Sequence, residues 1–164
     1  MGKGKPRRGA TFDVVVPTTG GPSLAAALTA LASGSGPLPE RVILVDERIT
    51  PGSDLRLDTP PLFFDRLVVV NSEGSGPAAS RNLGARCAVA DWIAFIDERP
   101  PLPLRWREAL AARLNRAGDA LAARCRSRVA YRRDAFLRSG GFDERLRVER
   151  GAAHPKKSTN LLHS

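Results

Sequence analysis

Residues Leu67 to Arg99 read LVVVNSEGSGPAASRNLGARCAVADWIAFIDER. The apolar run Leu67 to Val70 predicts a strand closed by Asn71. Gly74 and Gly76 predict a close turn, and Pro77 opens a helix to about Val89 that carries Arg81 and Asn82. A second apolar run, Trp92 to Ile96, predicts another strand that stops at Asp97-Glu98. Strand, small-residue helix, strand and acidic tip is how an α/β domain presents polar groups at the carboxyl edge of its sheet. The tip's third residue is Arg99, a cation where a metal-binding tip would carry another acid.

The same alternation extends on both sides. Phe12 to Val16 predicts a buried strand ended by Pro17. Thr18 to Gly21 is a turn, and Pro22-Ser23 open an Ala/Leu helix to Ala32, with Ser23 as its cap. Val42 to Val45 predicts a strand ending in Asp46-Glu47. Residues 48 to 66 contain Pro51, Gly52, Pro60 and Pro61 and predict a connection with little regular structure. After Pro100, Pro101 and Pro103, an amphipathic helix is expected over Leu104 to Ala117. A short apolar piece follows at Leu121 to Ala123, then a strand at Arg128 to Tyr131. A helix from Arg133 to Arg138 is ended by Gly140-Gly141. Three strand–helix units in this order predict right-handed crossovers, a mostly parallel sheet and helices on both faces. They also place Pro17-Thr18, Asp46-Glu47 and Asp97-Glu98 on one edge.

At 164 residues and 42% hydrophobic, the chain predicts one domain with a substantial core. Its formal charge is +9. Lys3, Lys5, Arg7 and Arg8 lie in the first eleven residues, Lys156 and Lys157 in the last nine, and neither end has an acid. Nine less these six leaves +3 for residues 12 to 155, so most of the excess sits in two tails. Such tails are solvated, or are drawn to nucleic acid or anionic lipid. They contain no aromatic residue, which counts against nucleic acid as a partner. Cys87 and Cys125 have no C-x-x-C partner, which fits two packed thiols in a reducing compartment, with a single disulfide left open. No apolar run reaches membrane-spanning length and no signal core follows the basic N-terminus. The expectation is a cytoplasmic protein in three parts: a basic tail over 1–11, an α/β domain over 12–147 and an irregular tail over 148–164.

Five pieces, in order, resemble the family 2 glycosyltransferases with the A-type nucleotide-diphospho-sugar transferase fold. They are Val14-Val15-Val16-Pro17-Thr18; Val42-Ile43-Leu44-Val45-Asp46; Gly76-Pro77-Ala78-Ala79-Ser80-Arg81-Asn82-Leu83-Gly84; Trp92-Ile93-Ala94-Phe95-Ile96-Asp97; and Val129-Ala130-Tyr131-Arg132-Arg133 with Gly140-Gly141-Phe142-Asp143-Glu144. The resemblance implies a Rossmann-like α/β sheet and transfer of a sugar from a nucleotide-diphosphate donor to an acceptor hydroxyl. It implies a nucleotide site at Pro17, Thr18, Asp46, Gly76, Arg81 and Asp97. It places a divalent metal, Mg²⁺ or Mn²⁺, at Asp97 with Glu98 assisting. Gly141, Phe142 and Asp143 would shape the acceptor side. An acidic pair normally follows and supplies the base that deprotonates the acceptor.

Three departures qualify these expectations. Arg99 opposes a metal: two like charges 4 Å apart repel by about 4 kcal/mol at an effective dielectric of 20. Arg99 would then clamp the diphosphate itself, or the site has lost turnover. Glu149 is the one acid near the expected base position, since the pair falls on Gly151-Ala152; His154 offers a base only by its chemistry. The stretch from Asp97 to Tyr131 is short for the family. The resemblance therefore implies a shortened or degenerate member, with the last fourteen residues suggesting a shifted reading frame. Two readings stand beside an active transferase: a non-catalytic pseudoenzyme that binds nucleotide, and a basic-tailed binder of nucleic acid or anionic membrane. A sheet lacking its acceptor-side helices would expose apolar surface and favour a homodimer.

Overall fold

The computed structural model describes residues 9–49, 55, 60, 63, 65–99, 101–125 and 128–145. The elements are β1 (Phe12–Thr18), α1 (Pro22–Ala32), β2 (Val42–Asp46), β3 (Leu67–Asn71), α2 (Pro77–Arg86), β4 (Trp92–Phe95), α3 (Trp106–Arg116), β5 (Ala122–Cys125), β6 (Arg128–Arg132) and α4 (Arg133–Arg138). They form one sheet in the order β3-β2-β1-β4-β6-β5. β1 to β4 are parallel, β6 runs antiparallel to β4, and β5 pairs antiparallel with β6.

The apolar runs are continuous because both faces of the sheet are covered. Val14 and Val16 of β1 and Val42 and Leu44 of β2 join Leu24, Leu28 and Leu31 of α1 and Trp106, Leu110 and Leu114 of α3. Val15, Ile43, Val45 and Ile93 point the other way, toward Ala78 and Ala85 of α2, Phe136 of α4 and Phe142. The two-residue period of a strand makes this division. α2 lies so close to the sheet that a Cβ on Gly84 would collide with the Val15 side chain. This is why the helix is built of small residues.

Three local expectations need correction. Pro17 does not end β1, because it lies inside the strand and pairs with Val45. β1 donates and accepts toward β2 at Val14 and toward β4 at Val15, so Pro17 turns its missing N–H to the β4 side. There the ladder has already stopped at Val15 and Phe95, and no donor is needed. Ser23 does not cap α1. Gly21 stands at the cap without a side-chain bond and Pro22 takes the first helical position. α2 ends at Arg86 rather than near Val89, because the Val89 and Ala90 N–H groups donate to Asp13 at 2.6 and 2.8 Å. The Asp13 carboxylate, fully buried in β1, also accepts the Arg41 N–H at 2.7 Å. One side chain therefore ties the entry of β2 and the α2–β4 turn to the central strand.

Cys87 and Cys125 are both free thiols. Among the described residues no helix is long and apolar enough to cross a membrane.

Candidate functional site

The carboxyl ends of β1, β2 and β4 meet the start of α2 around a cleft of about 240 Å³. Pro17, Thr18 and Thr19 line it from β1, Glu47 from β2, Pro77 and Arg81 from α2, and Asp97 and Glu98 from the end of β4. Gly76 precedes α2 with φ 96°, a conformation suited to glycine. Arg81 sits one turn inside α2, and its guanidinium meets Asp97 Oδ1 at 2.5 Å. The pair is asymmetric: the Arg81 side chain is 19% exposed and that of Asp97 64%. A partner reaching the cleft would therefore meet the carboxylate first.

Glu98 is turned inward. Its two carboxylate oxygens accept hydrogen bonds from the Thr18 and Ser23 hydroxyls. Thr18 Oγ1 in turn accepts the Gly20 N–H at 3.0 Å, which shapes the turn after β1. Ser23 thus serves the acidic tip instead of the helix end.

Asp46 is placed at the end of β2 but does not line the cleft. Arg48 holds it in a two-pronged contact, Nε to Oδ1 at 2.9 Å and Nη2 to Oδ2 at 2.8 Å, and the Arg48 N–H adds a bond of 3.0 Å. The Arg48 hydrogen bonds lower the Asp46 pKa below its ordinary 3.8, against the opposing effect of burial. A carboxyl whose pKa is depressed on folding stabilises the fold above its unfolded pKa, and that stability is lost as pH falls through the folded value. Wild type should therefore lose melting temperature below about pH 4 more steeply than Asp46→Asn does. Parallel slopes in melts taken from pH 6 to pH 3 would contradict this.

Glu47 takes the place in the cleft that Asp46 leaves. Its N–H donates to the Thr18 carbonyl at 2.9 Å, and its Oε1 is buried with no hydrogen-bond partner among the described residues. Glu47 follows Asp46, the last residue of β2, so strand alternation alone does not say which of the two neighbouring acids faces the cleft.

Asn82, next to Arg81, works on the other side of α2. Its amide accepts the Phe142 N–H at 2.8 Å and donates to the Phe142 carbonyl at 2.9 Å and to Glu144 at 2.8 Å. This double bond to one backbone unit holds Gly141-Phe142 against α2. Gly141, at φ 75°, leaves no room for a Cβ beside the Asn82 amide. Phe142 packs on Phe95, Tyr131 and Phe136 with ring centroids 5.0 to 5.9 Å apart. Asp143 pairs with Arg145 at 3.1 Å. Gly141, Phe142 and Asp143 therefore form a separate group beside α2 and do not line the cleft. Arg99 is exposed next to the acidic tip and is not among the lining residues. Glu149, Gly151, Ala152 and His154 lie outside the described residues.

A resident Mg²⁺ or Mn²⁺ does not fit this arrangement. Glu98 is committed to two hydroxyls, Asp97 to a guanidinium, and Asp46 to Arg48. No group of three His, Cys, Asp or Glu residues is placed to hold a metal among the described residues. The lining has three carboxylates, Glu47, Asp97 and Glu98, against one guanidinium, Arg81. A diphosphate entering it would need further positive charge, and Arg99 is the adjacent source.

Comparison with known proteins places this architecture. The family model described as Glycosyl transferase family 2 matches residues 13–128. A crystal structure of S. aureus TarS 1-349 superposes with a TM-score of 0.63 at 19% identity, covering 85% of this chain and 52% of that one. The mannosyltransferase PcManGT from Pyrobaculum calidifontis, in complex with GDP-Man and Mn²⁺, superposes with a TM-score of 0.63 at 18% identity, covering 86% and 50%. TarS 1-349 in complex with UDP-GlcNAc matches with a TM-score of 0.54 at 21% identity, covering 68% and 32%. At these identities the likeness shows the nucleotide-diphospho-sugar transferase fold. The chain spans about half the length of the first two of these structures, or less of the third. No curated protein sequence matches it.

Proposed function

The chain belongs to glycosyl transferase family 2, and from that premise we propose that it binds a nucleoside-diphosphate sugar in the cleft and passes the sugar to an acceptor hydroxyl. The observation that carries this reading is the convergence of three strand ends and the start of α2 on one polar cleft, with Arg81 and Asp97 paired in its wall. Pro17 and Thr18 form the floor, and Gly76 lets the chain turn closely into α2. Glu47, with its free acceptor, takes the hydroxyl or N–H donors of the nucleoside. Arg81 and Arg99 take the diphosphate, because a guanidinium can meet phosphate oxygens through two parallel bonds. Transfer needs a base within hydrogen-bond reach of the acceptor oxygen, and Glu149 is proposed for it.

A second reading is favoured by a specific observation: Asp46, Asp97 and Glu98 all have partners within the chain. That arrangement suits a domain that holds nucleotide without turning it over. Thermal shift measurements with UDP, GDP, dTDP and their sugar conjugates, in manganese and in chelator, test both readings. The expected result is stabilisation by one nucleotide that persists in chelator, since ligand bound only to the folded state raises its melting temperature. Release of that nucleotide from its sugar conjugate then separates transferase from binding module. A protein that melts cooperatively and responds to no nucleotide contradicts both.

A further inference from the structure

β3 is one edge of the sheet and β5 is the other. An edge strand leaves a row of backbone groups unpaired, and proteins usually guard it with charge, proline or a bulge. β3 has none of these. Leu67-Val68-Val69-Val70-Asn71 carries no charge and no proline, and its five residues pair with β2 without a break in register. β5, by contrast, carries Arg124 among its four residues. The backbone groups that β3 turns outward follow from its pairing. The Val42 N–H donates to the Arg66 carbonyl at 2.9 Å, and the Ser72 N–H to the Asp46 carbonyl at 2.8 Å. Main-chain groups alternate sides along a strand, so Arg66, Val68, Val70 and Ser72 turn theirs to β2. Leu67, Val69 and Asn71 turn three N–H and three carbonyl groups away from it, and these have no backbone partner among the described residues. Val68 and Val70 pack toward α2. Val69 lies beside Leu44 on the opposite face and is 47% exposed.

We propose that a second copy of this chain adds to β3, antiparallel, about a two-fold axis at Val69. The fit of the row to itself selects the second copy. Three residues face outward, and a two-fold axis at the middle one sets Val69 opposite Val69 and Leu67 opposite Asn71 twice. Each such pair exchanges two backbone bonds, so all six outward groups are satisfied. A shift of two residues would set outward groups against chain beyond the end of β3. The match holds for charge as well: an uncharged strand meets an uncharged strand, and the exposed Val69 side chain is covered by its own copy. A two-fold contact of this kind closes on itself and joins two six-stranded sheets into one. The contact is short, and main-chain bonds supply its affinity more than buried area does. The dimer is therefore weak, with a dissociation constant on the order of 10 µM.

The test is analytical ultracentrifugation of the full chain from about 1 to 300 µM, a range that brackets the expected constant. Wild type is expected to pass from monomer to dimer and no further. Val69→Lys changes an exposed side chain and sets two like charges opposite each other. It should stay monomeric throughout, a loss of more than about thirtyfold in association. Leu104→Lys, at an apolar residue 69% exposed outside the sheet, should dimerise as wild type does. Melting temperatures verify the fold of each variant. Val69→Cys tests the register. Opposed residues in such a pair lie about 5.5 Å apart, within reach of a disulfide. Mild oxidation should therefore link this variant into dimers, and should not link wild type, whose thiols are Cys87 and Cys125. A wild type that remains monomeric, or that runs on to larger species, overturns the proposal. So does a Val69→Lys variant that dimerises like wild type, which would place the contact on another surface. A Val69→Cys variant that links no better than wild type overturns the two-fold axis at Val69.

Discussion

Asp13→Ala should destabilise the fold by about 3–5 kcal/mol, because it strands three backbone donors at once. The Arg41, Val89 and Ala90 N–H groups all end on this one carboxylate, at 2.6 to 2.8 Å, and Asp13 itself is fully buried. Alanine leaves all three without their acceptor in a buried site. For a protein of this size the loss corresponds to a fall in melting temperature of roughly 10 °C or more. It is also a large fraction of the roughly 5–15 kcal/mol that holds a domain folded. Asp13→Asn should recover only part of the loss, since one carboxylate oxygen becomes an NH₂ that faces donors. A thermal melt of Asp13→Ala within a degree or two of wild type would refute this role.

Arg81→Ala should weaken nucleoside-diphosphate binding by about tenfold to a hundredfold, if the cleft is the donor site proposed here. A charge-assisted hydrogen bond contributes about 1.5–3 kcal/mol, and each 1.4 kcal/mol is tenfold in affinity. Removing Arg81 also leaves the Asp97 carboxylate without the guanidinium it meets at 2.5 Å, and that charge repels phosphate. The double variant Arg81→Ala, Asp97→Asn divides these effects. If it binds as wild type does, Arg81 only neutralises Asp97; if it stays weak, Arg81 holds the nucleotide directly. Titration calorimetry with the nucleotide identified by thermal shift gives both constants. Unchanged affinity in the single variant removes Arg81 from the site.

The sheet was largely legible in the chain because its signals are local. Continuous apolar runs such as Val14 to Val16 and Val42 to Val45 imply strands buried on both faces, and α1/α3 and α2/α4 do cover the two faces. The cleft was legible at the level of which strand ends meet. Its wiring was not, because that depends on contacts between residues far apart. Asp13 looks like an interruption in an apolar run, and its partners lie 28, 76 and 77 residues away. Asn82 reads as one more polar helix residue until Phe142, 60 residues on, is brought beside it. Asp46 and Glu47 are equivalent as neighbouring acids; Arg48 decides between them by taking the first. The connection after Arg48 falls mostly outside the described residues.

The strand order β3-β2-β1-β4-β6-β5 has a consequence during synthesis. One of the two central strands of the sheet, β1, is the first one made. β1 is complete at Thr18, gains β2 once Asp46 is added, and gains its other neighbour only when Phe95 is added. At about 5–20 residues per second, that second edge waits roughly 4–15 s after β1 has been polymerised. Through that interval a valine-rich strand with an open edge is available to other nascent chains. Slowing elongation should therefore lower the soluble yield of this protein more than that of a helical protein of equal length, whose contacts close locally.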